Sequence, residues 1–275
     1  MRILVLGSHG MLGSEFVRTL SDEHFMITSE SLDGIDITNI KSCSKIKDIN
    51  PDIVINCAAY TNVDKCEVYK ETCFQVNAHA LKILAEVCKD IKIIHFSTDY
   101  IFNGKSLNPY KEEDTGFPIN VYGLSKKAGE YALTSNSTNY IIVRTEWLFG
   151  KYKNNFVTTI MDKSKLNEPL KVVHDQLGSP TYTKDLVLGV NQILDQTGIF
   201  HLTNQGHCSW YDFAKEILKI AKIDAEIIPI SSEESNRLAQ RPTNSVLDNS
   251  KFNQLTNNPL RSWKIALQDY LDEIL

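Results

Sequence analysis

Near its start the chain carries an apolar run, Arg2-Ile-Leu-Val-Leu6, that stops at Gly7-Ser-His-Gly10-Met-Leu-Gly13, after which Leu12, Phe16, Val17 and Leu20 recur at helical spacing. A buried strand that turns through three glycines into an amphipathic helix leaves few folds open. The glycines permit a tight turn and a close backbone approach, while the N–H groups and dipole at the helix start suit a pyrophosphate. The pattern predicts the first βα unit of a dinucleotide-binding sheet, with Gly7, Gly10 and Gly13 shaping the phosphate turn.

Strand and helix signals then alternate. Residues 25–29 read as a second strand ending at Glu30, where a carboxylate would meet the ribose hydroxyls of NAD; Ser29 and Ser31 leave a 2′-phosphate open, and a solvated loop carboxylate is the competing reading. Asp36-Ile37-Thr38 precedes a helix near Asn39, either as a cap or as the lining of an adenine pocket. Residues 53–57, 91–96 and Tyr140–Thr145 read as further buried strands, followed by Ala58-Ala59-Tyr60, Ser97-Thr98-Asp99 and Glu146-Trp147. Those followers lie at carboxyl strand ends, the edge where open α/β sheets bind ligands. A long helix over about 71–89 carries Asn77, which is either structural or part of a relay. The expected fold is therefore α/β: a Rossmann-type, doubly wound, mostly parallel sheet over residues 1–150, completed by about 181–202. A smaller α/β region, 151–180 and 203–275, is expected to bind substrate.

Tyr122-Gly-Leu-Ser-Lys126 opens a helix that Asn120 is placed to cap and that runs toward Leu133. Residues four apart share a helix face, so a Lys126 ammonium can sit beside the Tyr122 phenol and favour its ionised form. Alone, the spacing fits many surface pairs; beside a ligand-binding sheet edge it describes a proton donor. The formal net charge of −5, with scattered Lys and Arg, argues against a nucleic-acid partner. No apolar run approaches the roughly 18 to 20 residues that span a bilayer, and the start does not read as a signal peptide, so neither a membrane partner nor secretion is expected. Six cysteines without Cys-x-x-Cys spacing read as reduced core thiols in a cytoplasmic protein.

The glycine turn, Asn56-Cys-Ala-Ala-Tyr60, Ser97-Thr-Asp-Tyr-Ile-Phe102, Tyr122-x-x-x-Lys126, Asn154-Asn-Phe156, Asp175-Gln-x-Gly-Ser-Pro-Thr181, Ser209-Trp-Tyr-Asp-Phe-Ala214 and Arg241-Pro-x-Asn-Ser245 succeed one another along the whole chain. In these motifs the sequence resembles the extended short-chain dehydrogenase/reductase family, and within it the reductases of dTDP-linked 4-ketosugars. The resemblance implies NADPH or NADH as cofactor and a dTDP-sugar as substrate, with dTDP-4-dehydro-L-rhamnose first and another nucleotide-linked 4-ketosugar as the alternative. It implies Tyr122 as general acid, Lys126 as the residue that lowers the phenol and meets the nicotinamide ribose, and Thr98 as the hydroxyl that orients the ketone. Asp99 and Trp147 match positions that contact the sugar nucleotide. Cofactor positions carry over to Gly10, Met11 and Leu12, to Glu30, to Asp36 and Ile37, to Ala58, Ala59 and Tyr60, and to Phe96. Tyr100 stands where related dehydratases carry glutamate, which argues for simple ketone reduction.

Two features depart from the pattern. Glu146 replaces a small Ser common before the matching tryptophan, leaving the sugar preference open. In some relatives three glutamates hold Mg2+ at a dimer contact; the matches here are Glu15, Asp185 and Glu273, one of them shortened, so no metal is assigned and a homodimer remains an expectation. Arg241 is open between pairing a diphosphate and a structural salt bridge. A non-catalytic, NADP-binding regulatory subunit is the reading from a different class.

Overall fold

Alternate residues of the first strand, β1 (Arg2–Leu6), feed opposite sides of one sheet: Ile3 and Val5 enter one core with Phe16, Ile55 and Phe96, while Leu4 and Leu6 enter another with Val54, Leu84 and Ile142. A strand buried on both faces is apolar throughout because helices cover both sides. In this computed structural model, which describes residues 1–29, 34–166 and 168–275, the sheet has six strands, all parallel. They are β1, β2 (Phe25–Thr28), β3 (Ile53–Asn56), β4 (Lys92–Thr98), β5 (Tyr140–Thr145) and β6 (Gly198–His201), in the order β6-β5-β4-β3-β1-β2. Glu30 lies outside the described residues. The chain reverses direction across the sheet between β1 and β3, which places a crevice where Gly7 and Cys57 leave their strands.

Strand β4 runs two residues past the expected end because Ser97 and Thr98 pair with Arg144 and Thr145. Thr98 therefore reaches the sheet's edge on a paired backbone rather than on a loop. The helix α1 (Met11–Leu20) succeeds the glycine turn, and α2 (Val121–Asn136) begins where the Asn120 Oδ1 accepts from the Gly123 N–H at 2.7 Å. Helix α2 is tied to β5 by Arg144, whose Nε and Nη2 donate to both Glu130 oxygens at 3.0 and 2.8 Å, all buried. It also packs closely: a Cβ at Gly123 would fall 2.0 Å from the Tyr100 carbonyl oxygen.

The helix expected over 71–89 runs from Lys70 to Val87 and carries a π turn within it. Lys70–Phe74 and Ala80–Val87 are α-helical, joined by a π turn, Gln75–His79. Asn77 sits in that turn and clasps one residue with both ends of its amide, accepting from the Tyr60 N–H at 2.8 Å and donating to the Tyr60 carbonyl at 2.9 Å. Its Nδ2 also donates to the Ser125 hydroxyl at 3.0 Å, so it ties the segment after β3 to α2.

Beyond residue 148 the core changes character. Phe149, Tyr182, Phe213, Trp263 and Tyr270 form a buried aromatic cluster between the helices Phe156–Ser164, Trp210–Ile220 and Trp263–Ile274. The strand Leu170–Val173 pairs with Ile227–Ile230, and two short strands, Leu177–Gly178 and Thr181–Tyr182, follow it. Among the described residues, no helix is long and apolar enough to cross a membrane.

Candidate active site

The crevice at the strand reversal is a cavity of about 730 Å3. Gly7, Gly10, Asp36, Ile37, Ala58 and Ala59 line it, as the sequence suggested; Ser29, Ser42 and Lys45 do so as well. Gly7 has φ +72°, and a Cβ there would fall 2.8 Å from the Ala58 nitrogen, so the turn admits only glycine without displacement. Gly10 caps α1 with no side-chain hydrogen bond, leaving the first N–H groups of the helix facing outward from the turn. Gly13 lies against the turn itself, 2.3 Å from the Gly7 carbonyl oxygen to a Cβ built on it. The Leu12 and Phe96 side chains belong to the core instead, where Phe16 and Phe96 meet at 5.5 Å, and Met11 is half-buried at the first helical position. Tyr60 is positioned through its backbone by Asn77. Lys45 escaped the sequence reading because it lies on a short helix, Lys45–Ile49, far from any motif.

Thr98, Asp99, Tyr100 and Tyr122 meet at the carboxyl end of β4. The Thr98 hydroxyl donates to the Asp99 Oδ1 at 2.8 Å and accepts from the Tyr100 N–H at 3.2 Å, and the Tyr100 and Tyr122 rings meet edge-on at 5.8 Å. Burial, then the nearby Asp99, push the Tyr122 phenol above its ordinary value, against a hydrogen bond with Thr98. Lys126 does not contribute as the helix spacing suggested. Its Nζ donates to the Phe96 carbonyl at 2.5 Å and lies 3.0 Å from the His95 Nε2, and burial brings it down to about 8. The lysine therefore faces β4, and the expected lowering of the phenol by an adjacent ammonium is absent from this geometry.

Thr98 pairs with Thr145, so Asp99 and Glu146 leave neighbouring strands side by side. Both are buried, and Asp99 Oδ2 and Glu146 Oε1 have no hydrogen-bond partner among the described residues. Burial pushes the Asp99 carboxyl up to about 6, opposed by hydrogen bonds with Ser245 and Thr98; burial and Asp99 together push Glu146 well above the usual carboxylate range. Two carboxylates this close do not both ionise readily.

A second cavity, of about 700 Å3, opens beside Tyr100 and is lined by Phe156, Lys163, Trp210, Arg237 and Arg241 among others. Trp147 has φ +48°, a left-handed conformation uncommon outside glycine, and stacks on Trp210 with ring centroids 3.6 Å apart. Arg241 both lines this cavity and forms a fork with Asp64, Nη1 to Oδ1 at 2.6 Å and Nη2 to Oδ2 at 2.9 Å. Of the two readings of Arg241, the structure contains the salt bridge.

The three carboxylates weighed for Mg2+ are each held by other partners. Glu15 accepts from Thr19 and Thr183, Asp185 from Asn204 and Arg261, and Glu273 from Lys151 and the Tyr182 hydroxyl. Among the described residues, no group of three or more His, Cys, Asp or Glu is arranged to hold a metal.

The whole sequence, residues 1–275, matches the RmlD substrate binding domain family. A dTDP-4-dehydrorhamnose reductase of Aggregatibacter actinomycetemcomitans is 37% identical over 98% of this chain and 97% of its own. A dTDP-4-keto-6-deoxy-D-glucose reductase of Streptomyces niveus is 34% identical over 97% of this chain and 95% of its own. Among solved structures, dTDP-4-dehydrorhamnose reductase from Bacillus anthracis in complex with NADP superposes with a TM-score of 0.95 at 36% identity, covering 99% of each chain.

Proposed function

The chain belongs to the RmlD substrate binding domain family, among the extended short-chain dehydrogenase/reductases, and from that premise we propose that it reduces the C4 ketone of dTDP-4-dehydro-L-rhamnose to dTDP-L-rhamnose with NAD(P)H. The observation that carries this reading is the meeting of Thr98, Asp99 and Tyr122 at one sheet edge, on the same edge as a glycine-built crevice.

The crevice fits a dinucleotide on its own terms. Side chains at Gly7 and Gly13 would fill it or break its turn, and the uncapped start of α1 offers N–H donors to a pyrophosphate. Gly7, Gly10, Gly13 and the backbone at Met11 and Leu12 would hold the phosphates, Asp36 and Ile37 the adenine side, and Ala58, Ala59 and Tyr60 the opposite wall. Lys45 on the same crevice supports NADPH over NADH. When bound, the dihydronicotinamide supplies the hydride.

The chain's own residues do the rest. Tyr122 Oη gives its proton to the oxygen of the reduced ketone, a step usually worth about 100- to 10,000-fold. Burial keeps the phenol in the protonated form that this step starts from. Thr98 Oγ1 orients the ketone oxygen, while Trp147 and Trp210 offer a flat apolar wall for the nucleotide base and Arg237 and Lys163 offer charge for the diphosphate. A biosynthetic reductase with six free thiols fits a cytoplasmic setting.

Glu146 supports a second reading, a sister reductase of another dTDP-linked 4-ketosugar, because a buried carboxyl with one unpaired oxygen beside Asp99 changes what the pocket can accept. The test measures oxidation of NADPH and of NADH with dTDP-4-dehydro-L-rhamnose and with dTDP-4-dehydro-6-deoxy-D-glucose, comparing wild type with Tyr122→Phe. The variant is expected to bind NADPH normally and to lose at least about 100-fold in kcat. Full rate in the variant sinks the acid assignment, and dinucleotide binding without reduction of either sugar would turn the reading toward a regulatory subunit.

A further inference from the structure

Under α2, two buried side chains that the proposed reaction does not use, Asn56 and His95, form a line with Lys126. Asn56 ends β3, His95 lies opposite it on β4 as its register partner, and Lys126 reaches down from α2; each is 1% exposed. The Asn56 Nδ2 is 3.2 Å from the His95 Nδ1, and the His95 Nε2 is 3.0 Å from the Lys126 Nζ.

The protons on this line can be assigned from one end. The Ala58 N–H donates to the Asn56 Oδ1 at 3.1 Å, and a backbone N–H cannot pair with an amide NH2, which fixes the amide's orientation. The Asn56 Nδ2 therefore donates to the His95 Nδ1, which must be the unprotonated nitrogen. A neutral imidazole then carries its proton on Nε2, the atom that faces the lysine. An ammonium has only donors, so an Nε2–H can be satisfied by Lys126 only when the lysine presents a lone pair.

We propose that His95 is a positioning residue for Lys126: with its tautomer set by Asn56, it presents an Nε2–H that favours the free-amine form of the lysine in the cofactor-free protein. The other groups that face Nζ do not reverse this. Cys57 after β3 is a half-buried thiol and Cys73 on Lys70–Phe74 a buried one, Tyr122 is a protonated phenol, and Glu130, one turn along α2, is already forked by Arg144. Burial brings Lys126 down to about 8 and holds His95 well below its ordinary value, so the imidazole is neutral at physiological pH and the free amine becomes the major form of the lysine above about pH 8. In its amine form Lys126 lends no charge to the Tyr122 phenol. Charging it takes one proton from solvent, forms one N–H bond and breaks the contact with the His95 Nε2–H. The functional consequence rests on the reductase reading; the tautomer does not.

Long-range 15N–1H NMR of the cofactor-free protein, with the His95 signal assigned by its loss in His95→Gln, reads the tautomer directly. A proton on Nε2 and none on Nδ1 is expected from about pH 6 to about pH 8. A proton on Nδ1, or an imidazolium, overturns the proposal without any other variant. In Asn56→Asp the carboxylate accepts from both the Ala58 N–H and an Nδ1–H, so the imidazole proton is expected on Nδ1 and the Nε2 becomes an acceptor for an ammonium. The Lys126 midpoint, read with 13Cε-labelled lysine, is then expected to rise by about one unit or more, a roughly tenfold shift in the ratio of amine to ammonium. An unmoved proton and midpoint in a variant that unfolds like wild type also overturn it. Neither measurement contains substrate, so a failure to reduce ketosugars leaves this result standing, and its failure leaves the reductase reading standing.

Discussion

Two cavities of nearly equal volume border the residues at the carboxyl ends of the strands, about 730 Å3 at the glycine turn and about 700 Å3 beside Tyr100, and they are built in opposite ways. The first is lined between residues 7 and 76, largely by glycines, alanines and short side chains that bring backbone to its surface. The second gathers aromatic and charged side chains from residues 100 to 241. A backbone-lined crevice serves a ligand part common to many enzymes, whereas a wall of long side chains can be exchanged residue by residue as the substrate changes. The first should therefore fail through sterics, the second through lost contacts.

The sharpest way to break that contrast is Gly7→Ala. The methyl would meet the Ala58 nitrogen at 2.8 Å in a left-handed residue, and neither side is a flexible chain end. A loss of roughly 2 to 4 kcal/mol in urea unfolding is expected, with NADPH affinity down more than about tenfold by fluorescence titration and dTDP affinity unchanged. Wild-type NADPH binding would show that the crevice tolerates side chains after all.

Asp64→Asn probes the seam of the second cavity. Asp64 holds Arg241, Arg237 and the Ala239 N–H, and the Arg241 hydrogen bond, first among the causes, keeps its carboxyl well below the usual range. A depressed carboxylate stabilises the fold above its unfolded value of about 3.9, and that contribution is lost as pH falls through the lower folded value. The half-exposed setting limits it to about 1 to 2 kcal/mol at pH 7. Urea unfolding at falling pH is expected to show the wild-type advantage shrinking below about pH 3.9; an advantage that stays constant would mean the pair is not what holds the seam.

Trp210→Ala is the gentlest of the three. Removing one face of the 3.6 Å stack with Trp147 is expected to weaken dTDP binding about tenfold by calorimetry while leaving NADPH untouched. Equal weakening of both ligands would erase the division between the cavities.

How much of the molecule is legible in its chain divides along the same line. The strand Arg2–Leu6, the glycine turn, the strand Tyr140–Thr145 and the caps at Asn120 and Ser209 are local: each depends on periodicity or on a side chain bonding two or three residues away. The helix Val63–Val68 is marked by its Asn62 cap alone, since six residues carry too little periodicity to register. The pairing of Asp64 with Arg241, the stack of Trp147 on Trp210 and the docking of Lys126 on His95 each join distant segments, and nothing in the spacing of the sequence encodes them. The Lys126 case is instructive because the helix spacing holds and its implication does not. A residue four positions on shares a face with Tyr122, yet a long side chain goes where a buried acceptor is, here the Phe96 carbonyl.

The π turn at Gln75–His79 bears on how this chain can drift over evolutionary time. Such a turn holds one residue more than the α-helix would, and each residue in a helix turns the next by about 100°. Deleting any one of the other four would regularise the helix and swing Asn77 away from Tyr60, so the segment that follows Ala58 and Ala59 would lose its clasp without a single substitution in it. Point changes on the outer surface of this helix can accumulate freely, but its length between residues 74 and 80 is held to an integer.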